Sequence, residues 1–208
     1  MTTDLFVTGT DTGVGKTLLS AVLVAALRRK YWKPIQTGAC DGTDRQAVMN
    51  WAGVHAERTH AEVFIFEQAV SPHLAAEQEH RQIRLETILR PADPEPIVIE
   101  GAGGVFVPIN DHEFMLDLMR HFRAPVIVAA RTVLGTINHT LLTVFAIRNA
   151  GLEVRGVVMV GQENADNRRA IERYGGVRII GSLPWLDAIN PPNLCRVFEE
   201  RFEKSAFA

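Results

Sequence analysis

The sequence predicts an α/β fold: a doubly wound, mostly parallel sheet flanked by helices. Three observations lead there. Short β-branched runs alternate with longer stretches of helical periodicity, which is the pattern of βαβ units. Several of those runs are apolar throughout, as strands covered by helices on both faces must be. The first run passes through a glycine-rich turn straight into an apolar helix, and open sheets of this kind bind ligands at the carboxyl ends of their strands.

Taken in order, 5–8 is the first strand and 17–29 the helix behind it, with a very short second strand at 31–33. The polar stretch 41–58 reads as a loop and a helix. A strand over 96–99 precedes a helix over 113–122. A strand at 126–129 leads to a long helix over 137–150, and further strands fall at 154–160 and 177–180. No repeat of fixed period appears and no Pro/Gly/Ser-rich linker divides the chain, so residues 1–208 are expected to form one domain.

Composition narrows the function classes. Of 208 residues, 47% are apolar and 22% charged, an ordinary globular balance that argues against disorder. The net charge of −2 comes without a long basic run, so nucleic acid is not an expected partner. No apolar run reaches the length of about 20 residues that a membrane span needs. Cys40 and Cys195 stand alone, outside any metal or disulfide pattern, and with no secretory leader in MTTDLFVTG they suit a reducing cytoplasm.

The chemistry starts at Gly9-Thr10-Asp11-Thr12-Gly13-Val14-Gly15-Lys16-Thr17. Small residues let backbone N–H groups approach phosphate oxygens, and the helix start adds a favourable dipole. Lys16 can reach β- and γ-phosphates, and the Thr17 hydroxyl can ligate Mg²⁺. One more residue than usual separates Gly9 from Gly15-Lys16, so the loop is a variant that puts Thr10 in the first glycine position. A glycine-rich turn without a ligand is the bland alternative; it leaves the coincidence of strand, loop, Lys-Thr and helix unexplained.

Further along, KPIQTG (33–38), SPHLAA (71–76), EGAGGVFVPI (100–109) and LGTINHTLLT (134–143) follow in order. Together with the loop they resemble the dethiobiotin synthetase family over about two-thirds of the chain. That resemblance implies a phosphate-loop NTPase fold, a homodimer, and closure of the ureido ring of dethiobiotin from 7,8-diaminopelargonate, CO₂ and ATP with Mg²⁺. It makes Lys33, Lys16 and Thr12 the catalytic candidates. Thr12, Gly13, Val14, Gly15, Lys16, Thr17, Asp44, Glu100, Gly101, Ala102, Gly103, Val160, Gly161, Pro184, Trp185 and Leu186 become the nucleotide site, with Thr17, Asp44 and Glu100 on the metal. Thr37 is placed on the diamine or carbamate. Gly135, Thr136, Ile137 and Asn138, at the start of the long helix, are placed on the distal carboxylate of a substrate bound by the other subunit.

Each assignment has a plain structural rival. Lys33 could be a solvated strand-end lysine, Thr37 a turn residue beside Gly38, Asp44 an N-cap, Glu100 a loop-capping carboxylate and Trp185 a core residue. Gly135 to Asn138 could be ordinary capping, and Ser71-Pro72-His73 is left outside the catalytic set because Pro at a helix start is common. His55 and His60 read as solvated.

The chain also departs from the family. Gly13 stands where many members have Glu. Val160-Gly161 stand where many have Asn-Asp on adenine, and a valine side chain has no hydrogen-bonding group, which puts base discrimination in doubt. The interval from Lys16 to Lys33 is short for the family. A switch ATPase of the partition type shares the fold, but Thr10-Asp11-Thr12 lacks that group's early loop lysine. A cobyrinate amidase-like ligase would need a glutamine-hydrolysing domain for which 208 residues leave little room.

Overall fold

The computed structural model describes residues 3–207. In chain order the elements are β1 (Leu5–Gly9), α1 (Lys16–Leu27), β2 (Lys30–Trp32), β3 (Ile35–Gln36), α2 (Asp44–Ala52), β4 (Thr59–His60), β5 (Phe64–Ile65), α3 (Pro72–Gln78), β6 (Ile97–Gly104), α4 (Met115–Phe122), β7 (Val126–Arg131), α5 (Thr136–Asn149), β8 (Val154–Val160), α6 (Ala165–Gly175), β9 (Ile179–Leu183) and α7 (Pro191–Arg201). Seven strands pair in the order β4-β2-β6-β1-β7-β8-β9, all parallel, while β3 and β5 make a separate two-stranded parallel sheet. The predicted fold class is the one observed. No described helix is long and apolar enough to cross a membrane.

Both faces of the sheet are covered, which is why its strands are apolar throughout. On one face Leu5, Val7, Tyr31 and Val98 meet Leu19, Val22 and Leu23 of α1 and Leu194 and Phe198 of α7. On the other, Phe6, Ile97, Ile99 and Val128 meet Met115, Leu118 and Met119 of α4 and Val144 and Ile147 of α5. A strand whose odd and even residues are both buried has its register held from both sides. That rigidity carries to the strand ends, where the site lies.

Several boundaries differ from the sequence reading. β2 begins one residue earlier than expected and releases Lys33 just past its carboxyl end. β6 continues through Glu100 to Gly104, with Gly104 paired to Gly9, so Glu100 is inside a strand and not after one. The last strand runs Ile179–Leu183, later than 177–180. Asp44 is not the N-cap of α2: Thr43 is, in a capping box with Gln46. Helices α6 and α7 were not anticipated. Among α6 residues only Ile171 and Gly175 are buried, which leaves little apolar periodicity to read.

Candidate active site

The turn from β1 into α1 forms the floor of the site. Gly15, at φ 95°, is the N-cap of α1 and provides no side-chain cap, so the first N–H groups of the helix are available to an anion. A side chain at Gly15 is excluded twice over: the conformation is left-handed, and a Cβ would lie 2.8 Å from Val160 Cγ1. Val14 instead turns its side chain into the core. Lys16 folds back over the loop and donates to the Asp11 carbonyl at 2.9 Å. Burial pulls the Lys16 ammonium down to about 8, partly opposed by the nearby Glu100 carboxylate.

Side chains from three further segments close over that floor. Period-two alternation puts Tyr31 and Lys33 on one face of the β2 segment, with Val98 and Glu100 on the same face of β6, because Tyr31 pairs with Val98. This is the face that α1 covers, so Glu100 meets Thr17 in its first turn, and Lys33 in turn reaches Glu100. Thr17 Oγ1 lies 2.8 Å from Asp44 Oδ1 and 3.0 Å from Glu100 Oε1. Lys33 Nζ bridges the same two carboxylates, hydrogen-bonded to Asp44 Oδ2 and 3.4 Å from Glu100 Oε1. Burial works against the Lys33 ammonium, but Glu100 and Asp44 more than offset it and hold its pKa above the ordinary lysine value. For Asp44, burial is outweighed by Lys33, which keeps the carboxyl below its usual range. Asp44 is itself held in place: its N–H donates to Gln36 Oε1 at 3.1 Å, fixing the start of α2 against β3.

A cavity of about 560 Å³ opens above this network. Thr12, Gly13, Gly15, Lys16, Thr17 and Lys33 line it, as do Thr37, Asp44, Glu100, Ala102 and Gly103. Gly101 is not on its wall, since a Cβ there would meet Phe6 and Met115 in the core. Ser71 and Pro72, left aside in the sequence reading, do line it, together with Trp51 of α2 and Val107. The donor set Thr17, Asp44 and Glu100 is all oxygen, the kind that hard divalent cations take. With two carboxylates and one hydroxyl, the set would leave the remaining positions of such an ion to phosphate and water.

The remaining predicted residues lie elsewhere. Val160 covers Gly15 from the β8 end, and Gly161, Pro184 and Trp185 line a separate cleft of about 330 Å³ with Gln162, Glu163, Ser182 and Arg201. Trp185 is 82% exposed, which excludes the core reading. Leu186 is on an adjoining cleft of about 150 Å³. Gly135, Thr136, Ile137 and Asn138 form the start of α5, where no side chain caps the helix, and none of them reaches the main cavity of the same chain. His55 is exposed, but His60 is half-buried beside Asp93, not solvated.

Two contacts escaped the sequence reading. Arg131, at the end of β7, donates from Nη2 to the Thr12 carbonyl at 2.8 Å and steadies the tip of the phosphate loop. Tyr31 donates to Glu100 Oε2 at 3.1 Å from within the core. Tyr31 was legible in principle, two residues before Lys33 on the same strand face.

Comparison with known proteins bears on the whole chain. A family described as an AAA domain matches residues 3–193. The ATP-dependent dethiobiotin synthetase BioD of Rhodopseudomonas palustris (strain BisB5) is 44% identical over 207 residues, covering 100% of this chain and 98% of that protein. The protein of the same name from Nitrobacter hamburgensis is 45% identical over 202 residues, covering 97% and 95%. That of Paramagnetospirillum magneticum is 47% identical over 185 residues, covering 89% of each. Among solved structures, a ParA family ATPase from Chlorobium tepidum superposes with a TM-score of 0.58 at 10% identity, covering 99% of this chain and 96% of that one. The likeness to that ATPase shows a shared fold.

Proposed function

The chain belongs to the dethiobiotin synthetase family and makes dethiobiotin in an ATP-dependent reaction, and we propose that ring closure takes place in the cavity between the phosphate loop, Lys33 and Glu100. The observation that carries this reading is the convergence of Lys16, Thr17, Lys33, Asp44 and Glu100 from separate segments on one point.

An amine of 7,8-diaminopelargonate adds CO₂ and releases a proton to give a carbamate. A carbamate oxygen attacks the γ-phosphorus and ADP leaves. The second amine then attacks the carbamoyl carbon of the mixed anhydride and loses a proton, the C–O bond to phosphate breaks, inorganic phosphate leaves, and the ring closes. Charge moves from carbamate to phosphoryl oxygens throughout, so positioned cations serve better than a dedicated base. Lys16 and the α1 start hold the β- and γ-phosphates. Lys33, on the carboxylate side, stabilises the carbamate and the transferring group. Thr12 lines the path between them, and Thr37 offers its hydroxyl to the diamine or carbamate. Thr17, Asp44 and Glu100 would hold Mg²⁺, whose charge would offset that of the phosphates.

The diamine's distal carboxylate fits the start of α5 from a second copy. Leu142 and Phe145 on α5, with Val133 and Leu134 just before it, are exposed apolar residues, as are Phe106 and Phe114. Phe106 and Leu142 line an apolar cleft of about 370 Å³ that shares Ser71 and Val107 with the cavity above the phosphate loop. A second copy covering this face gives it the burial that a monomer denies it.

The test supplies purified protein with 7,8-diaminopelargonate, bicarbonate, Mg²⁺ and ATP, and follows dethiobiotin and inorganic phosphate. Equal amounts of both are expected. Lys33→Ala should remain folded and lose turnover by about a thousandfold. Full turnover by that variant would sink the catalytic role of Lys33, and phosphate release without the diamine would favour the switch ATPase reading.

A further inference from the structure

We propose that Tyr31 is a positioning residue for Glu100, fixing which of its oxygens faces the nucleotide and metal. The inference rests on the reading of Glu100 as a metal-side carboxylate and adds a residue to it.

The two oxygens of Glu100 have separate partners. Oε1 faces Thr17 Oγ1 at 3.0 Å and Lys33 Nζ at 3.4 Å, on the cavity side. Oε2 is turned to the neighbouring strand on the same sheet face and accepts from the Tyr31 hydroxyl at 3.1 Å. Glu100 is 1% exposed and Tyr31 is fully buried, so no solvent competes for that bond. Rotation of the carboxylate about its last torsion would break contacts at both ends. The strand register sets the distance, because Tyr31 pairs with Val98 and Glu100 lies two residues further along the same face.

A buried tyrosine needs an acceptor, and a purely structural tyrosine would use Glu100 only to satisfy its own hydroxyl. A positioning tyrosine does the reverse: it occupies Oε2 so that Oε1 is presented at a fixed angle beside Thr17. Groups that orient metal-side ligands commonly change metal affinity by about 10- to 100-fold when removed. The structural role predicts a loss of stability with the site unchanged; the positioning role predicts a change at the metal even where the fold is intact.

The experiment measures Mn²⁺ binding by electron paramagnetic resonance, with a non-hydrolysable ATP analogue present and no turnover. Tyr31→Phe keeps the ring and should weaken Mn²⁺ by about tenfold, with metal-free nucleotide affinity unchanged. Glu100→Gln should lose the ion, and adding Tyr31→Phe to it should cost nothing more. Mn²⁺ affinity unaltered in Tyr31→Phe but lost in Glu100→Gln overturns the role of Tyr31 alone. Affinity unaltered in both overturns the metal-side reading of Glu100.

A second measurement leaves Tyr31 and its hydroxyl in place. The chain has 2 tyrosines, and the other, Tyr174, is 62% exposed. Tyr174→Phe labelled with 3-fluorotyrosine therefore gives one ¹⁹F resonance, from Tyr31. That resonance should shift when Mg²⁺ is added to the nucleotide complex and stay fixed when Glu100→Gln is also present. No shift in the protein that retains Glu100 overturns the proposal.

Discussion

Lys16 and Lys33 bring the same charge into one cavity and are held in opposite ways. Lys33 has Asp44 and Glu100 against it and is a firm cation. Lys16 donates to a neutral carbonyl, and burial lowers it to about 8. An arriving triphosphate adds further negative charge beside Lys16 and raises its pKa. Since the free pKa is then below the bound one, binding takes up a proton at pH values above about 8 and almost none well below it. Calorimetry in buffers of different ionisation enthalpy should show little uptake at pH 6.5 and clear uptake at pH 9, abolished in Lys16→Ala. Buffer-independent heats at pH 9 would mean that Lys16 is not the group that titrates. Because binding takes up a proton there, triphosphate affinity should fall as pH rises above about 8, while the Lys33 contribution stays constant across this range.

At the scale of elements, the proposed nucleotide site assigns selection of the base to the loops after β8 and β9. Val160 is committed to packing over Gly15, and the neighbouring cleft offers the base an exposed Trp185 ring and the polar chains of Gln162, Glu163 and Arg201. Stacking holds any base, because every base has a π-face. GTP and CTP should therefore turn over with kcat/KM within about tenfold of ATP, far from the discrimination of a site built on paired hydrogen bonds. Trp185→Ala should raise KM for all of them by about tenfold without reordering the series. A strong preference for ATP that survives Trp185→Ala would refute this. The same loops show what was legible in the sequence. Elements with apolar residues on both faces, β1, β7, β8 and α1, were readable from periodicity, and so was the phosphate loop. The sequence ends the strand at Ile99, before Gly101-Ala102-Gly103-Gly104, whereas the strand runs on to Gly104. Pairing of Gly104 with Gly9 in the parallel ladder overrides the poor strand propensity of those residues. The β3–β5 sheet has strands too short to carry a period. Lys33 and Glu100 were located by motif, yet their mutual contact with Asp44 came only with the strand register and the capping of α2.

At the scale of the whole molecule, β1 lies at the centre of the sheet with β6 and β7 beside it, so the strand ends on either side of the phosphate loop lead to two different places. The β2–β6 side carries Lys33 and Glu100. The β7 side carries α5, whose uncapped start is outside the cavity of its own chain. If each site borrows α5 from a second copy, a defect in Lys33 and a defect in α5 must complement each other in mixed dimers. Lys33→Ala and Asn138→Asp, the second placing a negative charge where the substrate carboxylate binds, should each be nearly inactive alone. In a mixed dimer, the chain that retains Lys33 receives an intact α5 from its Lys33→Ala partner, and the other site has both defects. Random reassociation makes half of the dimers mixed with one good site of two, so an equimolar mixture should recover about a quarter of full activity. Were each site built within one chain, no combination would be intact and the mixture would stay dead. Leu142→Glu, on the exposed face of α5, should yield a monomer by sedimentation, and adding it to either parent should remove the recovery. Recovery that persists with sedimenting monomers would show that the apolar face serves some other purpose.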